Sequence, residues 1–126
     1  MSSPPRPVYL NLFRLHLPVT GWVSILHRLS GALLFAALPL LVWIFARTLT
    51  DETAFARTTG YLATPIAKLL IVILIGALAL HSMAGLRHLA MDAHWGMVLK
   101  SARVTSFIVL LATGVVVMLA VWGMFR

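Results

Sequence analysis

The chain has 126 residues, of which 61% are hydrophobic and 10% charged, with ten Lys and Arg, three Asp and Glu and no Cys. A soluble domain of this length carries about 25% charged residues, so most of this chain avoids water, and its length suits a single domain, 1–126. The lack of Cys excludes disulfides, thiolate-bound clusters and covalently attached haem, leaving His and Met as the soft-metal ligands. The formal charge of +7 is dispersed singly along the chain rather than gathered in a basic stripe, so no nucleic-acid partner is expected and membrane lipid is.

In chain order, Met1 to Pro7 reads as an extended tail containing Arg6, without the short apolar core and cleavage site of a removable signal peptide. Three stretches then lack any acid or base: 29–46, 69–86 and 104–125. A membrane-crossing helix needs about 20 residues, and with their flanks these stretches predict spans at 22–46, 65–86 and 104–125. The fold class is therefore all-α, an integral-membrane bundle of three transmembrane helices. Strands are excluded, because the apolar residues do not alternate and the stretches are twice the length of a barrel strand. Pro39 inside the first span predicts a kink there.

Between the first two spans, Thr50 can cap a short interfacial helix with Asp51 and Glu52 in its first turn, although a plain connector is the favoured reading. No internal repeat is visible, which argues against a transporter built from duplicated halves. With the N-terminus inside, Arg6, Arg14, Arg28, Arg87, Lys100 and Arg103 fall on the cytoplasmic or matrix side. Arg47, Arg57, Lys68 and Arg126 fall outside. This bias predicts an inside N-terminus and an outside C-terminus.

Polar chemistry gathers at one end of two helices. Ser24, His27, Arg28 and Gly31 recur at i, i+3, i+4 and i+7, so a hydroxyl, an imidazole, a guanidinium and a gap share one face. Simple anchoring of His27 and Arg28 at the headgroups needs no such alignment. A shared donor face suits an anionic or carbonyl-bearing ligand at the membrane surface.

On the second span, His81 lies six residues before Arg87, about 9 Å deeper at ~1.5 Å per residue. An ionisable group at that depth costs a few kcal/mol and faces the bundle interior with a partner. Ala77, Ala84 and Gly85 flank His81 and permit either a close helix crossing or the flat approach of a macrocycle. A hydrogen-bonded His and a metal ligand are equally compatible with the spacing. Arg87 and His88 near the interface could hold the carboxylates of such a cofactor. Asp92 either pairs with Arg87 or delivers protons to a site at the membrane surface. His16 and His94 lie outside the spans and read as solvated. The third span offers only Thr105, Ser106, Thr113 and Gly114 as non-apolar features and reads as packing. Because the first two spans run antiparallel, both clusters meet at one membrane face.

The stretch Ser24-Ile25-Leu26-His27-Arg28-Leu29-Ser30-Gly31 resembles the signature of the cytochrome b membrane-anchor subunits of succinate dehydrogenase, respiratory complex II. His81 followed by Gly85-Leu86-Arg87-His88-Leu89 and Asp92 resembles that family's second signature, and the likeness covers essentially the whole chain. Trp22 departs from the small or aliphatic residue expected before the first motif. The resemblance implies a three-helix anchor in the bacterial or mitochondrial inner membrane, paired with a second small membrane-anchor subunit and docked to an iron–sulfur subunit and a flavoprotein subunit. By the same resemblance, His81 is the axial ligand of a haem b shared with the partner anchor. His27, Arg28 and His88 lie near the haem propionates, and Ser24 and Arg28 bind ubiquinone, so Arg28 carries two assignments.

The residues themselves agree with this division of labour. One deep His cannot complete a six-coordinate haem, so a bis-His haem requires a partner chain. No flavin motif, cluster cysteine or dicarboxylate pocket is present, so succinate oxidation belongs to another subunit and this chain is expected to be a non-oxidising subunit of the enzyme. Ser24 and Arg28 would donate to quinone oxygens as negative charge develops there, with Asp92 supplying protons. A haem-free structural anchor would use His81 for helix packing alone. A small transporter subunit would need polar residues through the full membrane depth, whereas here they stop at one face.

Overall fold

The computed structural model describes residues 17–126. The predicted tail and Arg6, Arg14 and His16 lie outside the described residues. Four helices follow in order: α1 (Val19–Thr48), α2 (Glu52–Leu62), α3 (Pro65–Asp92) and α4 (Leu99–Phe125). The three long helices are apolar and long enough to cross a membrane. Their 30, 28 and 27 residues correspond to about 40–45 Å at ~1.5 Å per residue. Each therefore exceeds a hydrocarbon core about 30 Å thick and carries its ends into the headgroups.

The helix limits have local causes. Pro18 and Val98 precede α1 and α4 in extended conformation, without side-chain caps. Pro65 opens α3, where a missing N–H costs nothing. The preceding Thr64 Oγ1 accepts from Ala67 N–H at 3.4 Å and donates to Tyr61 O at 2.7 Å, locking α2 to α3. Helix α3 closes in a Schellman turn, with Trp95 N–H donating to Ala90 O at 2.8 Å and His94 N–H to Met91 O at 2.9 Å. His94 takes φ +64° there, a left-handed conformation in which His is enriched among non-glycine residues. Helix α1 is continuous through Pro39.

The connection favoured as plain chain is a helix. Asp51, not Thr50, caps α2, its carboxylate accepting from Ala54 N–H at 2.8 Å and from the Thr53 hydroxyl. Those two bonds, the hydroxyl first, hold the Asp51 carboxyl below the usual carboxylate range. Thr50 instead donates its hydroxyl to Arg47 O at the end of α1, at 2.9 Å.

Helix α3 is central and packs on both α1 and α4. One residue from each long helix, Val23, Ala84 and Val109, forms the buried centre, bordered by Met83 and Leu110. Most large apolar side chains face outward. Lipid tails are as apolar as Leu, so helix association here rests on close packing and interhelical hydrogen bonds rather than on removing apolar area from water. Small residues supply the closeness: a Cβ at Gly76 would stand 2.8 Å from Val117 Cγ2. At the far end, Lys68 Nζ on α3 donates to Met124 O at 2.8 Å, placing a cation against the carbonyl end of α4.

Candidate functional site

The antiparallel pairing of α1 with α3 brings His27, His81 and His88 together. The His27 and His81 rings stack with centroids 4.3 Å apart and planes 14° from parallel, and His88 lies 5.0 Å from His27 at a tilt of 53°. Gly31 makes this approach possible. A Cβ on Gly31 would stand 2.8 Å from His81 Cε1 and 3.2 Å from its Nδ1, so the His81 ring occupies space that any larger residue would fill. On α3, the Cα of Gly85 backs the His27 ring; a Cβ there would meet His27 Nε2 at 3.5 Å, in ordinary contact.

Hydrogen bonding gives the His81 ring a direction. Its Nδ1 lies 3.1 Å from the carbonyl oxygen of His27. A carbonyl only accepts, so in the neutral ring Nδ1 carries the proton and Nε2 presents its lone pair. Among the described residues Nε2 has no hydrogen-bond partner. Ser30 shares the same acceptor, donating to His27 O at 2.9 Å with its oxygen 3.4 Å from His81 Nδ1, and is only 7% exposed. An apolar groove of about 300 Å³, with Leu26, Leu29, Ala77 and Leu80 in its wall, opens beside Ser30.

The other expected site residues lie on the same two helices. Ser24 is half-buried one turn before His27, while Arg28 is exposed, as is Asp92 at the last position of α3. Arg87 departs from expectation. Its side chain turns away from the histidines and toward α4, where Nε donates to Thr105 Oγ1 at 3.1 Å and a terminal nitrogen to Ala102 O at 3.3 Å. It is 8% exposed and bonded to neutral oxygens rather than to Asp92. The α4 hydroxyls are therefore more than packing surface. Thr105 receives Arg87, and Ser106, fully buried, bonds back to Ala102 O at 2.8 Å.

Sequence reasoning passed over Ser30 and Thr105. Ser30 lies within the first motif, three residues after His27, which is the one signal that could have marked it. Thr105 touches Arg87 only through the fold.

The residues present fit a haem. A lone-pair nitrogen at helix depth, a backbone hydrogen bond that orients the ring, a glycine cradle at the ring's flank, and His27 and His88 nearby make a coherent donor set for an iron and its propionates.

Known proteins match most of the chain. The family described as succinate dehydrogenase/fumarate reductase transmembrane subunit matches residues 2–121. A succinate dehydrogenase cytochrome b556 subunit of Coxiella burnetii is 34% identical over 119 residues, covering 93% of this chain and 95% of its own. The protein of the same description from Paracoccus denitrificans is 31% identical over 101 residues, 80% of this chain and 78% of the relative. That of Rickettsia felis is 29% identical over 117 residues, 91% and 88% respectively. Three apolar membrane-length helices, two histidine motifs converging at one end and a family match across nearly the whole length agree: the chain belongs to the succinate dehydrogenase/fumarate reductase transmembrane-subunit family.

Proposed function

We propose that this succinate dehydrogenase subunit holds one face of a haem b and forms part of the site where ubiquinone is reduced. The observation that carries the haem reading is the His81 ring, seated against Gly31 with Nδ1 bonded to His27 O and Nε2 without a hydrogen-bond partner among the described residues. A backbone acceptor on Nδ1 fixes the ligating tautomer and raises the basicity of the other nitrogen. His81 would ligate the iron, and a partner anchor subunit would complete the binding of the haem. His27, His88 and Arg28 would hold the propionates. When bound, the haem would supply a one-electron store.

Succinate oxidation belongs to the flavoprotein subunit, and electrons reach the membrane through the iron–sulfur subunit. At the quinone, this chain supplies donors. Ser24 O–H and the Arg28 guanidinium project from the same turn of α1 at the membrane surface and would bond the quinone oxygens. Their stabilisation grows as electrons arrive and negative charge accumulates on those oxygens. Two electrons and two protons convert quinone to quinol, and Asp92, exposed at the end of α3, would deliver the protons. The groove beside Ser30 offers apolar surface for the ligand's hydrocarbon portion. The N-terminus would face the cytoplasm or matrix.

The test compares two acceptors. Arg28→Leu and Ser24→Ala should lower ubiquinone reduction by about 10- to 100-fold, the loss of one charge-assisted or developing-charge hydrogen bond, while succinate oxidation by a soluble artificial acceptor persists. Equal loss of both activities would refute the quinone assignment.

A further inference from the structure

At the opposite end of the bundle from the histidines, a cavity of about 620 Å³ lies between the last turns of α1 and the body of α2. Neither the haem nor the quinone reading uses it. Trp43, Arg47, Asp51, Arg57, Tyr61 and Leu62 stand in its wall. Two guanidiniums thus meet one carboxylate, and that carboxylate is committed to the α2 cap through Ala54 N–H and the Thr53 hydroxyl. The cavity is net positive. Arg47 lies over the Trp43 ring at 5.6 Å from its centroid, an arrangement that holds the guanidinium plane.

The position of the cavity selects the ligand. The apolar stretch of α1 ends at Ala46, and Trp43, Arg47 and Tyr61 are the residue types that mark headgroup depth. Phosphates of the bilayer lie at that level. Guanidinium groups match phosphate oxygens bidentately where an ammonium acts as a point charge, and Ile44 and Leu62 add apolar wall for a glycerol and acyl portion. We propose that this cavity binds the phosphodiester of an anionic membrane phospholipid through Arg47 and Arg57, clasping α1 to α2. The site is independent of the haem and quinone assignments.

The experiment uses the whole purified succinate dehydrogenase complex containing this chain. Phospholipid retained through exhaustive detergent exchange is counted by native mass spectrometry. Arg47→Gln together with Arg57→Gln should reduce retained phosphatidylglycerol or cardiolipin at least about tenfold, the loss of one charge-assisted hydrogen bond or more. Arg126→Gln is the control, because Arg126 also lies over a tryptophan, Trp122 at 5.0 Å, but outside this cavity. It should retain the lipid. Unchanged retention in the double variant, or equal loss in the control, would overturn the proposal. A second arm needs no variant: phosphatidylglycerol returned to the delipidated wild-type complex should raise its thermal midpoint more than phosphatidylethanolamine or inorganic phosphate does. An equal rise with inorganic phosphate would assign the site to a free anion and overturn the lipid assignment.

Discussion

Replacing Gly31 with Ala perturbs the proposed haem ligand without removing any polar group. The added Cβ would stand 2.8 Å from His81 Cε1 and 3.2 Å from Nδ1. A flexible side chain could swing aside, but this ring is held on one face by the His27 ring at 4.3 Å and at its edge by His27 O at 3.1 Å. Either α1 and α3 separate or the imidazole rotates and gives up its bond. Overpacking costs about 1–3 kcal/mol and a lost buried hydrogen bond about 1 kcal/mol. As alternatives these give roughly 1–3 kcal/mol, or about 5- to 150-fold in the affinity of the ligating geometry. The assay is haem per mole of purified complex, from the reduced-minus-oxidised absorbance spectrum, with subunit stoichiometry as the check on assembly. Gly114→Ala is the internal control, since no atom of the described residues lies within 4 Å of a Cβ there. Haem content and spectrum unchanged in Gly31→Ala would refute the placement of His81 against this glycine.

Two further outcomes follow from the packing. Arg87→Met removes the buried cation and leaves Ala102 O still bonded by Ser106, so complex stability should change by less than about 1 kcal/mol. Thr105→Val strands the Arg87 Nε and should cost about 1–3 kcal/mol; a thermal midpoint lower in Arg87→Met than in Thr105→Val would contradict this ordering. At α2, the Asp51 carboxyl is held below its ordinary value, so its contribution is complete above about pH 4, the unfolded value, and is lost as pH falls through the lowered folded value. Amide exchange in α2, corrected for intrinsic rates, should therefore accelerate as pH falls below about 4 in the parent and be equally fast at about pH 6 in Asp51→Ala. Matching protection in parent and variant near neutral pH would exclude the cap.

The spans were legible because a charge-free apolar stretch of membrane length has few alternatives, and the structure extends them where flanking turns continue the helix, as from Arg87 to Asp92 in α3. The histidine cluster was legible as two helical faces at one membrane end, since helical spacing and antiparallel order fix which ends meet. Helix α2 was less so: its sequence, Glu52 to Leu62, is only weakly apolar, and the cap that starts it came from Asp51 rather than the neighbouring Thr50. Arg87 shows the limit of a single-helix reading. Its place on α3 beside His88 pointed to a shared ligand, whereas the roughly 100° between successive helical residues sends the two side chains to different neighbours, His88 to α1 and Arg87 to α4. The partners of Arg87 lie 15 and 18 residues away across a turn, beyond any helical period.

The role of His81 as a haem ligand is tested directly by a pyridine haemochrome measurement on the purified complex. The parent should yield b-type haem at one per complex, and His81→Ala, assembled with all its partner subunits, should yield substoichiometric haem and lack the parent's low-spin bands in the native reduced-minus-oxidised spectrum. A fully assembled His81→Ala complex with the parent's haem content and spectrum would contradict that role and leave His81 as a helix-packing residue.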